Sequence, residues 1–333
     1  MIGTGPFVAS SYIPDQVFTL KSNHNYFRGA PKISGIERPI LKDAATRLNE
    51  FKAGQLDLVE LQRQDVKPLQ SDPKYAKEIH FEPRAATWYI AFNTKIYPPF
   101  ANRNVRRAFS MAIDTRSIVN NVLDGVNTVA NGILPPGVLG HRNHTAIISY
   151  NPLEAKKLLA SAGYQDGSEM PALKLYFRTD VEDIKLVAEA VQNYLKKNLN
   201  VNVTLVPLDW VTYLNQEDKS LLPFYHMRWE ADYFDPQDFL SLLLTSKGAE
   251  NKQYYSNPEV DKLCAEADVM LPEDNPKRLA LYAKAEDIIL QDAAWLPIYF
   301  QRDVELISPR VHGLRETKLG ILPDSKVYLD PIK

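Results

Sequence analysis

The segment from residue 173 to residue 207 decides the fold class, and it reads LKLYFRTDVEDIKLVAEAVQNYLKKNLNVNVTLVP. Its first five residues are predicted to form a strand, and residues 181–199 are predicted to form a helix. The last seven residues alternate apolar and polar side chains, as a half-buried strand does. This strand, helix, strand succession is typical of α/β folds, and it predicts one coherent α/β unit in the middle of the chain.

The same alternation extends to both sides of this segment. Asp43 is a credible N-cap for a helix that ends at Gly54, and Asn151 with Pro152 starts another helix. Residues 125–144, crowded with Gly, Pro and His, are predicted to form a long surface loop. The other main predicted elements are strands at 56–59, 87–93, 224–228 and 295–300, and helices at 104–113, 115–123, 236–244, 258–270 and 275–291.

Composition bounds the class of protein. The chain has 333 residues and a formal net charge of −2, and 45% of its residues are hydrophobic, which is ordinary for a folded protein of two domains. The near-neutral charge argues against a nucleic-acid partner, which requires clustered Lys and Arg. No stretch approaches a membrane span, and residues 1–15 lack the features of an export signal. The single cysteine, Cys264, excludes an intramolecular disulfide and is predicted to be a small buried filler.

The sequence carries no signature of catalysis or of a cofactor. No G-x-S-x-G, H-E-x-x-H, phosphate loop or G-x-G-x-x-G motif occurs, and His141 and His144 have no Cys or carboxylate cluster that would favour zinc. We therefore expect no enzyme activity, no metal and no cofactor. The alternative is a hydrolase that uses Asp232 and Asp235 as an acid/base pair. Asp235 precedes Pro236, however, and an N-cap is the simpler role for it.

Asp232 has a different setting. It follows an apolar strand and stands where the strand enters a loop before a helix, which is the ligand crevice of open α/β sheets. Beside Trp229 and Tyr233, its carboxylate can take a ligand ammonium while the two rings cover the apolar part of the ligand. The competing interpretation is a structural salt bridge between Asp232 and Arg228 or another neighbour.

An ordered set of short motifs runs along nearly the whole chain. In order, they are G-T-G-P-F (3–7), N-Y (25–26), A-T-R-L (45–48), G-Q-L-D (54–57), F-N-T (92–94), P-P-F (98–100), V-R-R-A-F (105–109), A-I-D (112–114), A-K-K-L-L (155–159), A-G-Y (162–164), W-E-A-D-Y-F-D-P (229–236), L-Y (281–282) and P-I-Y (297–299). Each motif alone is weak, but their shared order is specific. The sequence resembles the extracytoplasmic solute-binding protein family 5, the oligopeptide- and dipeptide-binding receptors of ABC importers.

The resemblance implies an α/β fold of the type II periplasmic-binding-protein class. Such a receptor has two lobes, with mixed sheets flanked by helices, and the lobes close over the ligand about a hinge. Asp232 matches the aspartate of the family's W-x-A-D-Y motif, which pairs with the α-ammonium of the ligand. Basic residues that some oligopeptide receptors use for ligand carboxylates are not clearly retained. The resemblance implies that Trp229 lines the first side-chain pocket. The other residues of the expected site are Arg228 and Tyr233 beside the motif, Trp210 near the ligand and Tyr89 near the hinge. Core packing is the simpler interpretation of Trp210 and Tyr89.

The resemblance also predicts the domain organisation and the partners. Residues 1–86 with 299–333 are expected to form a partial lobe I, and residues 87–298 a whole lobe II. Because the matching part of the family follows an export signal and further segments, we expect a fragment with an incomplete lobe I that binds peptide weakly or not at all on its own. The expected partners are a peptide and the membrane permease subunits of an ABC importer, and the expected location is the periplasm or, as a lipoprotein, the outer face of a membrane. Alternative solutes are a nickel complex, an oligosaccharide and a modified peptide.

Overall fold

The computed structural model describes residues 3–271, 276–318, 320–322 and 325–331 of the chain. The chain forms two compact units: unit 1 comprises Met1–Arg84 and Arg302–Lys333, and unit 2 comprises Ala85–Gln301. The described helices are α1 (Ala44–Lys52), α2 (Arg63–Gln70), α3 (Arg103–Ala112), α4 (Thr115–Ser117), α5 (Pro152–Ser161), α6 (Glu182–Leu199), α7 (Trp210–Asp218), α8 (Pro236–Phe239), α9 (Ser241–Leu244), α10 (Pro258–Asp268) and α11 (Pro276–Gln291).

Strands occur in both units, and two of them carry the chain from one unit into the other. The chain leaves unit 1 within β5 and returns within β10. The described strands are β1 (Phe7–Ile13), β2 (Val17–Ser22), β3 (Gly35–Pro39), β4 (Leu58–Glu60), β5 (Ile79–Phe92), β6 (Thr128–Val129), β7 (Leu173–Arg178), β8 (Val203–Leu208), β9 (Phe224–Glu230), β10 (Trp295–Ile307), β11 (Val311–His312), β12 (Arg315–Thr317), β13 (Gly320–Leu322) and β14 (Tyr328–Leu329).

Unit 2 is built on a mixed sheet with strand order β10, β5, β9, β7, β8, and β6 also pairs with β10. Strand β9 is antiparallel to β5 and parallel to β7, which is parallel to β8. Alternate residues of β5 enter two different hydrophobic clusters: Trp88 and Ile90 belong to one, and Tyr89 and Ala91 to the other. Because side chains alternate along a strand, both faces of this sheet are covered by core.

Unit 1 contains smaller sheets. Strands β1, β2 and β3 form an antiparallel sheet, and β4 pairs antiparallel with the end of β10, where Glu60 lies opposite Glu305. The guanidinium of Arg310 donates to both carboxylate oxygens of Asp57 at 2.6 and 2.9 Å, which fixes the segment after β10 to the residue before β4. Short antiparallel pairs β11–β14 and β12–β13 complete the described part of this unit.

Several element predictions are confirmed by their caps. The side chain of Asp43 accepts a hydrogen bond from the Thr46 amide at the start of α1, and Asn151 accepts one from the Glu154 amide at the start of α5. The predicted helix 236–244 is instead two short helices, α8 and α9, which meet at Leu240. Helix α2 was not predicted, because Pro68 within it is a residue that usually ends a helix.

The predicted surface loop 125–144 is partly wrong. Ile133 and Leu134 within it are buried, with 0% and 2% exposure. The buried carboxylate of Glu286 on α11 accepts hydrogen bonds from both of their backbone amides, at 2.8 and 3.2 Å. Arg142, at the end of the same segment, donates to Glu286 at 2.8 Å. This network allows the loop backbone to enter the core without losing its hydrogen bonds.

Candidate functional site

The candidate site lies at the carboxyl end of β9, in the turn that leads to α8. The Ala231 amide donates to the Ala85 carbonyl at 2.8 Å, which continues the pairing of β9 with β5 one residue past the strand. Asp235 then caps α8 by accepting from the Gln237 amide, with Pro236 in the first turn. Residues 232–234 lie between these two fixed points and are exposed.

The Asp232 carboxylate is exposed and has no hydrogen-bond or ion-pair partner within the described part of the chain. The competing salt bridge with Arg228 is not formed. Arg228 instead pairs with Glu230 at 3.1 Å and donates to the Gln301 side chain at 3.0 Å. The position of Asp232 is set through its backbone, because its amide donates to a carboxylate oxygen of Asp238 at 3.2 Å.

Trp229 and Tyr233 are held by α8 next to Asp232. The indole of Trp229 is half-buried, and its Nε1–H donates to the same Oδ2 of Asp238 at 3.1 Å. The Tyr233 ring is 45% exposed, and its hydroxyl donates to Oε1 of Gln237 at 2.9 Å. The structure therefore brings together three of the expected site residues, one carboxylate and two aromatic rings.

Asp235 takes part in the fold. Its two carboxylate oxygens accept from the Arg278 guanidinium at 2.7 and 2.8 Å, and the Arg278 side chain is only 6% exposed. The N-cap prediction for Asp235 is confirmed. A carboxylate that is already bound to an arginine and to a helix terminus is poorly suited to share acid/base work with Asp232.

Arg228 and Trp210 belong to a second group. Since side chains alternate along β9, Arg228 and Trp229 lie on opposite faces of the strand. The Arg228 guanidinium carbon lies 5.6 Å from the ring centre of Trp88, and that of Arg178 lies 4.3 Å from the ring centre of Trp210 and 5.8 Å from that of Trp88. We call Arg178, Arg228, Trp88 and Trp210 the guanidinium–tryptophan group.

Tyr89 lies in the core of unit 2. Its side chain is 3% exposed and stacks on Trp295, with ring centres 3.5 Å apart and planes inclined by 7°. Burial raises the pKa of its hydroxyl well above the ordinary value for tyrosine. In this structure Tyr89 is part of the core and has almost no exposed surface to offer a ligand.

Sequence reasoning missed three residues: Asp238, which accepts a hydrogen bond from the Asp232 amide, and Arg178 and His226, which lie beside Trp88. Arg178 is the last residue of β7, so the rule that selected Asp232, the carboxyl end of a strand, also selects Arg178. Asp238 has the sequence signature of an ordinary acidic residue in the first turn of a helix, and nothing in the sequence indicates that it is buried. His226 is completely buried, neither ring nitrogen has a partner among the described residues, and burial lowers the pKa of its imidazole to about 3.

The family profile of the bacterial extracellular solute-binding proteins, family 5, matches residues 1–251. The chain belongs to this family. It is 31% identical over 323 residues to heme-binding protein A of Haemophilus influenzae, covering 96% of this chain and 58% of that protein. It is 30% identical over 322 residues to the oligopeptide-binding protein OppA of Bacillus subtilis, covering 94% of this chain and 58% of that protein.

Solved structures of bacterial binding proteins show the same fold. The Escherichia coli murein tripeptide binding protein MppA superposes with a TM-score of 0.80 and 27% identity, covering 98% of this chain and 64% of that one. The predicted family and the predicted α/β fold of type II periplasmic binding proteins are thus confirmed. The chain spans 58% of the length of the two curated relatives. In the described residues, no helix combines the length and hydropathy needed to cross a membrane.

Proposed function

We propose that this chain is the substrate-binding component of an ABC-type peptide importer, which captures oligopeptides or dipeptides between two hinged lobes. The observation that carries the proposal is Asp232: an exposed carboxylate without a partner in the described structure, at the carboxyl end of a strand and flanked in sequence by the aromatic residues Trp229 and Tyr233. The names of the relatives support it, since OppA is an oligopeptide-binding protein and MppA a murein tripeptide binding protein.

Asp232 is suited to bind the ammonium group of a peptide. A carboxylate and an ammonium form a charge-assisted hydrogen bond, which is stronger than a neutral one and strengthens further when water is excluded. Trp229 and Tyr233 supply apolar surface that excludes water from this pair, and Trp229 lines the first side-chain pocket in our proposal. The backbone of Asp232 is already held by Asp238, so binding orders few additional groups.

A peptide also carries a negatively charged carboxyl group, and arginine side chains of opposite charge lie at the same edge of the sheet. Strands β7, β8 and β9 are parallel, so their carboxyl ends share one edge, and Arg178, Trp210 and Asp232 each stand at or just after one of these ends. Arg178 also pairs with Asp180 at 2.6 Å. In our proposal the guanidinium–tryptophan group, with Arg228 and Trp210, contacts the part of the ligand beyond its first residue.

The domain prediction takes a concrete form in this proposal. In our proposal, residues 1–86 with 299–333 are the lobe I part and residues 87–298 are lobe II, close to the bounds of the two compact units. Tyr89, in β5, supports lobe II by its stack on Trp295. The closed receptor would deliver its ligand to permease subunits outside the cytoplasm, either free in a periplasm or as a lipoprotein.

Substitution of Asp232 by asparagine tests the proposal. Asp232→Asn keeps the size of the side chain but removes the charge, so we expect it to weaken binding of a peptide with a free amino terminus by about 2–5 kcal/mol, because one partner of a desolvated charge pair is lost. Trialanine and its N-acetylated form are titrated into the chain while the indole resonances are followed by NMR, which also detects weak binding.

The matched control is Glu259→Gln, which removes another exposed carboxylate, at the start of α10. We expect this variant to bind trialanine like the parent chain. We also expect the parent chain to prefer trialanine over the N-acetylated peptide, and Asp232→Asn to abolish the preference. Equal affinity of the parent chain for both peptides, or unchanged binding in Asp232→Asn, would contradict the proposal.

A further inference from the structure

Asp238 is a buried carboxylate directly beneath the proposed ammonium site. Its side chain is on the four-residue helix α8, and the residue is 0% exposed. One oxygen, Oδ2, accepts both the indole N–H of Trp229, at 3.1 Å, and the backbone N–H of Asp232, at 3.2 Å. The other oxygen, Oδ1, is buried and has no hydrogen-bond partner among the residues that the structure describes.

This arrangement is unfavourable for folding by itself. Burial of a carboxylate with one oxygen unpaired disfavours the charged form, and burial raises the pKa of Asp238 to about 6, although the hydrogen bonds from Trp229 and Asp232 act in the opposite direction. The nearby acids Asp232 and Asp235 raise this pKa further. An unfavourable buried charge that connects two residues of a ligand site is a sign that the arrangement serves the site.

The two donors that meet at Oδ2 come from different parts of the proposed site. The Trp229 indole is a side chain at the end of β9, whereas the Asp232 amide belongs to the exposed turn. A single acceptor fixes the ring and the backbone relative to each other, and therefore fixes the distance between the ring face and the Asp232 carboxylate within narrow limits. Without this acceptor, the turn would be free to move relative to the ring.

We propose that Asp238 is a positioning residue, whose carboxylate holds the Trp229 ring and the Asp232 backbone in one arrangement so that an ammonium ligand meets the charge and the ring together. This inference rests on the proposed function. Asp238 does not contact the ligand in this scheme. Its contribution is to preorganise two groups that do, which lowers the cost of ordering them when the ligand binds.

Two substitutions of Asp238 distinguish a positioning role in the site from a role in packing alone. Asp238→Ala removes the acceptor, while Asp238→Asn retains an oxygen that can accept both hydrogen bonds but carries no charge. The readouts are the Trp229 indole N–H resonance, assigned with Trp229→Phe, and hydrogen exchange of the Asp232 amide. In Asp238→Ala we expect the indole resonance to move towards that of a free indole, the Asp232 amide to exchange at least tenfold faster, and trialanine to bind at least tenfold more weakly. In Asp238→Asn we expect an indole resonance that moves but stays in the bonded range, and partial recovery of binding.

Asp261→Ala is the matched control, because Asp261 also accepts one backbone and one side-chain hydrogen bond, both from Ser246, at 2.7 and 2.6 Å. We expect it to leave Trp229 and Asp232 unchanged. A folded Asp238→Ala variant with the parent's indole resonance and Asp232 exchange would overturn the inference. Should that variant not fold, an unchanged indole resonance in Asp238→Asn would overturn it equally, because the charge of a true acceptor influences the bonded proton.

Failure of the proposed function has a different signature. In that case the parent chain does not prefer trialanine over its N-acetylated form, whereas the substitutions still show whether Asp238 holds the two groups together. If the Trp229 indole and Asp232 amide resonances of the parent chain respond to trialanine but Asp238→Ala binds it as tightly as the parent chain, the proposed function stands and the positioning role of Asp238 is wrong.

Discussion

The two ends of the turn between β9 and α8 carry the same residue type in opposite surroundings. At one end, Asp235 caps α8 and holds the buried Arg278 by two hydrogen bonds of 2.7 and 2.8 Å. At the other end, the Asp232 carboxylate is exposed and has no partner in the described part of the chain. A position near the end of a strand therefore identifies both aspartates as candidate ligand-binding residues. The partners of each carboxylate then show that Asp235 stabilises the fold, whereas Asp232 is available to a ligand.

The two aspartates differ in their contribution to stability because the partner of Asp235, Arg278, is buried. The Arg278 side chain is 6% exposed, so its charge requires a counterion inside the protein. The proximity of Asp235 raises the pKa of Arg278, which is the other side of the same attraction. Asp232, in contrast, keeps its hydration, and its lack of a partner costs the fold little. If this contrast is correct, substitutions at the two positions must have effects of very different size on stability.

The largest effect is expected for Asp235→Ala. This substitution removes the N-cap of α8 and the carboxylate that accepts two hydrogen bonds from the buried Arg278 guanidinium, so we expect a loss of about 3–5 kcal/mol in the free energy of unfolding. Urea denaturation at neutral pH measures it. The double variant Asp235→Ala with Arg278→Met removes both charges, and we expect it to be more stable than Asp235→Ala alone. A loss below about 1 kcal/mol, the range of an exposed ion pair, would show that Asp235 and Asp232 do not differ as described.

The carboxylate of Glu217 extends the comparison, because it is buried. Glu217 on α7 is 8% exposed and forms no ion pair with a described residue. Burial raises its pKa to about 7, with further increases from Asp218 and Glu250 and a decrease from Lys252. Since the folded state then holds the proton more tightly than the unfolded state, this residue makes stability fall as the pH rises from about 4.5 to about 7.

Glu217→Gln should therefore stabilise the chain at high pH. We expect a gain of about 3 kcal/mol at pH 8 and almost none at pH 4, where Glu217 is largely protonated in both states. Thermal or urea unfolding across this pH range measures the difference. The control is Glu259→Gln, which removes an exposed carboxylate that does not act on the pKa of Glu217, and we expect it to change the free energy of unfolding by less than about 0.5 kcal/mol at either pH. A gain from Glu217→Gln that is equal at pH 4 and pH 8 would contradict a charge-based explanation.

Local patterns in the sequence predicted many of the elements and one end of the turn. Asp43 and Asn151 were assigned as caps because capping depends on a few adjacent residues, and the Asp235–Pro236 pair was assigned for the same reason. The burial of residues 133–134 could not be predicted, because it depends on Glu286, which is more than 150 residues away in the chain.

The site could be predicted only in part, because some of its features also depend on contacts that form only in the folded chain. Asp232 was selected by its place after a strand, and Trp229 and Tyr233 by their proximity to it in sequence. The role of Asp238 arises from hydrogen bonds that form only after β9 and α8 have packed together. The stack of Tyr89 on Trp295 likewise joins residues distant in sequence, and no local pattern distinguishes a tyrosine in such a stack from one that lines a cleft.

The smallest effect on stability is expected at Asp232. Because its carboxylate is hydrated and lacks an ion pair among the described residues, Asp232→Asn should change the free energy of unfolding by less than about 0.5 kcal/mol, the usual range for a surface substitution. The measurement is urea denaturation of the same sample that is titrated with trialanine. A stability loss comparable with that of Asp235→Ala would assign Asp232 to the fold, and any loss of binding would then be indirect. Weaker binding at unchanged stability separates recognition from folding, and only a residue whose charge the fold does not require can give that result.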